Sequence, residues 1–292
     1  MPTTLAGKVA IITGASRGIG SAVARRLAAS GASVVVAART ETAGGRLEGS
    51  IREVEQLIRE SGGSALAVAC DVADPSACAA LVARVREEFG TVDILVNNAA
   101  LTVPDRSAKT SGAKTSGDGP RLSVAEALSV VNFPLAAYRR AFEVNLFSVY
   151  ALVQLVAPDM MRRGRGNIVN ISSDAAQSPG EGPYPRTPGI PLHAYGTSKA
   201  ALEHLTRTVG YEFARHGIAV NAVLPSLTVE TPGAVFASGG QVGSTLPMER
   251  FVDAVEFLCT VSSAERTGTV MHSEDLLDPA GRRRGWLGEP YL

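Results

Sequence analysis

The sequence predicts an α/β fold: a single doubly wound parallel sheet with helices on both faces. Three observations predict it. Short apolar runs alternate with helical patterns along most of the chain. Those runs are apolar throughout rather than at every second residue, which is the pattern of strands buried on both faces. A glycine-rich turn follows the first run and opens the first helix. With 292 residues the chain is long enough to bury a sizeable core, and it reads as one domain over 1–292.

The elements follow in order. "KVAIIT" is the first strand, and a helix runs from Ile19 to Ser30. "SVVVAA" is the second strand, with a helix over Ile51–Glu60, and "ALAVACD" is the third, with a helix over Ser76–Phe89. "VDILVNN" precedes a long helix over Leu135–Arg162; "NIVNIS" precedes a helix from Ala194 to His216; "IAVNAVL" is the sixth strand. Strand and helix repeat in turn, so the strands join in parallel. Two segments break the rhythm. Residues 102–121 repeat Ala-Lys-Thr-Ser-Gly without periodicity and read as a mobile insertion. Residues 177–193 hold five prolines and read as an irregular loop that shapes a pocket.

Lys plus Arg and Asp plus Glu number 28 each, so no global field draws the chain to nucleic acid or an anionic membrane. Cys70, Cys78 and Cys259 lack metal-ligand spacing and read as reduced core thiols, with no metal expected. The start, "MPTTLAGKVAIITGAS", is too short and wrongly flanked for a signal peptide, and no run of 18 apolar residues suggests a membrane span. A cytoplasmic protein is the expectation.

"TGASRGIG", Thr13 to Gly20, is the first functional motif. Gly14, Gly18 and Gly20 allow a sharp turn and close approach of a pyrophosphate, whose charge the new helix N-terminus favours. Ser16, Arg17 and Ile19 share that loop. The second strand ends Ala38-Arg39-Thr40, where NAD-binding folds place an acid for the ribose 2′-hydroxyl. An acid would repel a 2′-phosphate. Arg39, with Arg17 on the same side, would attract one, so NADP(H) is expected over NAD(H). Asp71 and Val72 end the third strand, where a carboxylate could accept from an adenine amino group. Asn97 and Ala99 end the fourth, where small residues let a ribose lie close to backbone. Asn97 reads equally as a tie between neighbouring strands.

"YPRTPGIPLHAYGTSKAA", 184 to 201, holds two tyrosines and one lysine. Moving a phenol from pKa ~10 to ~7 takes ~4 kcal/mol, which a fixed, partly desolvated ammonium ~4 Å away supplies at an effective dielectric of ~20. Positions i and i+4 of a helix give that placement. Tyr195 and Lys199 have the spacing. Tyr184, between Pro183 and Pro185, lies in a stretch that cannot be helical and reads as a substrate contact at most. His193 reads as a loop-packing residue rather than one that tunes the site.

"TGASRGIG", "NNAA", "NISS" and "YGTSK", in this order, resemble the short-chain dehydrogenase/reductase family over residues 7 to about 272. The resemblance implies a Rossmann fold and a tetrad. Tyr195 matches the general acid/base, and Lys199 matches the residue that lowers its pKa and holds the nicotinamide ribose. Ser173 matches the group that hydrogen-bonds the substrate oxygen, with Ser172 the alternative, since adjacent strand residues face opposite ways. Asn145 matches the asparagine that holds a relay water. Pro225, Ser226 and Thr228 fall where the family contacts nicotinamide, although Pro225-Ser226 stands where the family has Pro-Gly.

The resemblance also places a substrate lid over 226–250 and implies a homotetramer or homodimer formed through the two long helices, while residues 273–292, with three consecutive arginines, read as a C-terminal tail. The implied activity is an NADP(H)-dependent carbonyl reductase or alcohol dehydrogenase acting on a small, largely apolar molecule. A catalytically silent nucleotide-binding scaffold or redox sensor is the alternative from another class. A dehydratase or epimerase is the weaker alternative among enzymes.

Overall fold

The structure is a computed structural model that describes residues 5–42, 48–102, 126, 128–180, 192–237 and 245–277. In chain order β1 (Val9–Thr13), α1 (Gly18–Ala29), β2 (Ser33–Ala38), α2 (Ile51–Glu60), β3 (Ser64–Ala69), α3 (Pro75–Phe89) and β4 (Ile94–Asn97) make up the first half. The second half is α4 (Leu135–Phe142), a π turn (Glu143–Phe147), α5 (Ser148–Arg163), β5 (Gly166–Ile171), a 3₁₀ turn (Asp174–Ala176), α6 (His193–Ala214) and β6 (Ile218–Leu224). It ends in β7 (Thr228–Val229), α7 (Pro232–Ala237), β8 (Thr245–Leu246), α8 (Met248–Leu258), β9 (Val270–His272) and α9 (Ser273–Leu277).

Seven strands form one sheet in the order β3-β2-β1-β4-β5-β6-β9, every pairing parallel. The central register sets Ile12 between Val36 and Val96. Because strand side chains alternate, each all-apolar strand feeds two cores. Ile12, Val34, Val36 and Val96 pack under α1, α2 and α8, while Ile11, Val35, Leu95 and Ile168 pack under α3, α5 and α6. The strand order turns back between β1 and β4, and a crevice at the carboxyl ends of those two strands is where such sheets take ligands.

A π turn that carries Asn145 lies within the long helix expected over Leu135–Arg162, which otherwise runs on as an α-helix on both sides of it. The segment Leu135–Arg163 is long and apolar enough to cross a membrane by length and composition alone. It holds no run of 18 apolar residues, since Asn145, Ser148, Gln154 and Asp159 interrupt it. In the fold Leu152, Val156 and Met160 of this segment pack in the second core.

Six elements after β6 were not read from the sequence: β7, α7, β8, α8, β9 and α9. β9 is only three residues long, β7 and β8 two each, and α9 five, too short for a periodic signal. The start of the expected tail over 273–292 is corrected: Ser273–Leu277 is a helix with Ser273 and Leu276 buried. Most of the 102–121 insertion, most of the 177–193 loop with Tyr184, residues 238–244 of the expected lid and residues 278–292 of the tail lie outside the described residues.

Candidate active site

The glycine loop is shaped by what presses on it. Gly14 has φ +66°, and a Cβ there would meet the Ala99 Cα at 2.8 Å. A Cβ on Gly20 would stand 2.5 Å from both Asn98 Nδ2 and the Gly14 carbonyl. The partner is the end of β4. Asn98 Nδ2 donates to the Thr13 and Gly14 carbonyls at 2.9 and 3.2 Å, and the Asn98 and Ala99 amides donate to Thr13 Oγ1. Asn98 is a site residue the sequence reading missed, although the opposed facing of neighbouring strand residues would have set it apart from Asn97. Gly20→Ala is expected to displace this loop, costing about 1–3 kcal/mol of stability together with NADPH affinity, read by thermal unfolding and fluorescence titration.

Asn97 itself ties strands together: its Nδ2 donates to Asn170 Oδ1 at 2.8 Å, and Asn170 in turn donates to Thr206. At the end of β2, Arg17 donates to Thr40 Oγ1 at 3.2 Å and to the Gly49 carbonyl at 2.8 Å. Its buried Nε has no partner among the described residues. Burial and then the neighbouring Arg39 guanidinium hold Arg17 below its ordinary pKa, partly offset by Glu53. Arg39 is exposed beside it. Ser16 and Val72 are buried, Ile19 is half-buried, and Thr231 lies against Gly18, so the stretch after β7 borders the glycine loop.

On the far side of the crevice Tyr195 and Lys199 share one face of α6. Ser173 begins the 3₁₀ turn, accepts from the Ala175 amide at 3.2 Å, and is hydrogen-bonded through its side chain to Tyr195. Ser172 turns away and donates to Glu203 Oε1 at 2.7 Å, so Ser173 is the serine that faces the phenol. Lys199 is 2% exposed. Its Nζ donates to the Ile171 carbonyl at 2.6 Å and stands 5.7 Å from the centre of the Tyr195 ring. Burial lowers the Lys199 pKa to about 8, and Glu203 opposes that fall.

The expected lowering of the Tyr195 pKa is corrected. Burial pushes the phenol up, and the Ser173 bond only partly opposes it. The physical reason is burial of the phenol, which the Lys199 ammonium, bonded to the Ile171 carbonyl and 5.7 Å from the centre of the ring, does not offset. Asn145 is fully buried and braces the same region: its Oδ1 accepts from the Leu101 amide at 2.7 Å and its Nδ2 donates to Ser198 Oγ at 2.9 Å, while Ser198 donates to the Tyr195 carbonyl.

The family model described as short chain dehydrogenase matches residues 8–237. The chain belongs to the short-chain dehydrogenase family. It is 36% identical over 221 residues to 7alpha-hydroxysteroid dehydrogenase of Escherichia coli (strain K12), covering 76% of this chain and 71% of that protein. It is 32% identical to L-xylulose reductase of Bos taurus, covering 93% and 96%. Among solved structures, a metagenomic short-chain oxidoreductase in complex with NADP matches at TM-score 0.65 and 29% identity, covering 92% and 98%. Hydroxysteroid dehydrogenase from Escherichia coli matches at TM-score 0.67 and 29% identity, covering 93% and 97%.

Short-chain dehydrogenases use nicotinamide cofactors, and the residues present fit one: a glycine cradle that a Cβ would fill, and beside it a cationic rim with an unpartnered guanidinium nitrogen. Two expected contacts are otherwise engaged. Asp71 accepts from the Ala73 amide at 3.1 Å and pairs with Arg140 at 2.9 Å; burial raises its pKa, but these donors outweigh it and the net direction is down. Arg140 was not legible as a partner because 69 positions separate the two. Ser226 donates to the Glu274 carboxylate, so its hydroxyl is turned to α9. Pro225 is half-buried, and Thr228 is exposed on β7, paired in register with Thr245. His193 packs edge-on to Phe133 and bonds the Leu128 carbonyl, the packing role expected of it.

His272 was missed because three residues at a sheet edge carry no pattern. Its Nε2 lies 2.8 Å from Asp174 Oδ1, the residue after Ser173. That bond raises the His272 pKa above 6.5, with burial opposing. A raised histidine stabilises the folded chain fully below about 6.5 and loses that contribution as pH rises through its folded pKa. His272→Gln is therefore expected to remove a pH dependence of stability that begins at about pH 6.5 and runs upward, worth less than about 1 kcal/mol because Asp174 is well exposed. Denaturant unfolding of both proteins across that range checks it.

Proposed function

We propose that this short-chain dehydrogenase is an NADP(H)-dependent oxidoreductase that interconverts a carbonyl and a secondary alcohol on a small, largely apolar substrate. The observation that carries the reading is Tyr195, with Ser173 bonded to its phenol and Lys199 one turn on. A bound nicotinamide supplies or takes up the hydride. The protein's part is protons and placement. Tyr195, kept protonated by burial, donates its phenolic proton to the substrate oxygen in the reducing direction and takes one back in the other. Ser173 hydrogen-bonds the same oxygen, in position before charge develops there. Lys199 holds the ribose hydroxyls, and its charge offsets that of the phenolate left after donation. Asn145 fixes the Leu101 backbone and the first turns of α6 around the phenol.

Gly14, Gly18 and Gly20 cradle the pyrophosphate, and Arg17 with Arg39 reads the 2′-phosphate. Relatives named for hydroxysteroids and xylulose support an uncharged alcohol or ketone. The proposal includes assembly as a homotetramer or homodimer and a cytoplasmic site. The test is a panel of uncharged ketones and secondary alcohols, cyclic and steroid-like ones included, followed by NADPH and NADH absorbance. Turnover of at least one with NADPH is expected; binding of NADPH without turnover of any would overturn the enzyme reading.

A further inference from the structure

Glu203 takes no part in the proposed reaction, yet it is a carboxyl only 5% exposed on the helix that carries the chemistry. Tyr195, Lys199 and Glu203 stand at i, i+4 and i+8 and so line one face of α6. Lys199 is the middle member, with the phenol one turn before it and the carboxyl one turn after. From β5, Ser172 donates to Glu203 Oε1 at 2.7 Å.

We propose that Glu203 is a positioning residue that keeps the Lys199 ammonium charged at neutral pH and, by holding Ser172, leaves Ser173 as the serine that faces Tyr195. The inference rests on the oxidoreductase reading for its purpose, but its physics stands apart from it. A buried lysine tends to lose its proton, and a neutral amine cannot stabilise a phenolate. A buried carboxylate on the same helix face opposes that loss without competing for the Ile171 carbonyl that Lys199 Nζ bonds.

The groups facing Glu203 allow it to hold a charge. Burial raises its pKa most strongly; against this act the Ser172 bond, Arg207 one turn further along α6, and His272 from β9, while Asp174 of the 3₁₀ turn adds to the rise. Lys199 has Glu203 on one side and the Tyr195 ring on the other.

The sequence offers a direct test, since it contains four lysines, Lys8, Lys109, Lys114 and Lys199. In protein labelled with ¹³C at the lysine ε-carbons, a pH titration by NMR reads each one separately, and Lys199→Met identifies the Lys199 signal. In the native chain its midpoint is expected at about 8, and Glu203→Gln, whose amide oxygen can still accept from Ser172, is expected to move it to lower pH. An unmoved or raised midpoint overturns the charge role. Should Glu203→Gln fail to fold, Glu203→Met fills the same space without an unpaired amide and must show the same downward shift. A Lys199 already neutral at pH 7 in the native chain also overturns it.

Ser172→Ala reads the second role: kcat for the most active ketone of the panel is expected to fall while NADPH affinity stays put. Unchanged kcat overturns that role. The titration needs no substrate or cofactor, so absence of turnover would remove the reaction and leave the Lys199 result standing.

Discussion

Tyr195→Phe is expected to lower turnover of every active ketone or alcohol by about 10²–10⁴-fold, with the affinity for NADPH nearly unchanged. The substitution removes one oxygen from a ring that stays packed on its own helix. Lys199 keeps its bond to the Ile171 carbonyl, and the glycine loop, Thr13 and Asn98 lie on other elements. What disappears is the proton donor and the partner of Ser173. Because burial pushes the phenol up, reduction in the native protein is expected to hold across neutral pH and decline only as the phenol begins to ionise. That alkaline decline should vanish in the variant's residual rate. Steady-state rates against pH, with NADPH fluorescence titration alongside, check both. A variant with native turnover would show that another group donates the proton.

The sheet was legible because its physics is local. A strand buried on both faces must be apolar at consecutive positions, and β1, β2 and β4 fill that requirement in a single run, while Asn170 interrupts β5 and Asn221 interrupts β6. Tyr195 and Lys199 were legible for the same reason, since both lie within one turn of one helix. What was not legible depends on partners distant in sequence. Arg140 meets Asp71, His272 meets Asp174, and Ser226 meets Glu274, each pair brought together by crossovers that the sequence gives no way to align. The direction of the Tyr195 shift was misread for a related reason. Spacing puts the ammonium on the right face of the helix, but only the fold shows that the phenol is buried and that the Ile171 carbonyl, 28 positions away, accepts a hydrogen bond from Lys199. The π turn at Asn145 is likewise set by the packing of Asn145 between Leu101 and Ser198, not by any periodicity within Leu135–Arg163.

Arg39→Ala is expected to weaken NADPH binding by about 10- to 100-fold, the worth of a charge-assisted hydrogen bond, and to leave NADH binding nearly unchanged. Two guanidinium groups lie near one another at the end of β2, that of Arg17 bonded to Thr40. Arg17 is anchored, because Thr40 Oγ1 and the Gly49 carbonyl hold one nitrogen, whereas its buried Nε lacks a partner among the described residues. Arg39 lowers the pKa of Arg17, so the two cations repel, and a dianion placed between them relieves that repulsion while a bare hydroxyl does not. The proposed preference would reside in a difference: NADPH would gain from both arginines, and NADH would meet the same repulsion with nothing to offset it. Arg17→Ala should also cost NADPH affinity, but it removes the ties to Thr40 and Gly49 and so should weaken NADH as well. Fluorescence titration of both nucleotides against both variants separates the two roles. Equal losses of NADPH and NADH in Arg39→Ala would mean that Arg39 does not read the 2′-phosphate, and the cofactor preference would then rest on Arg17 alone.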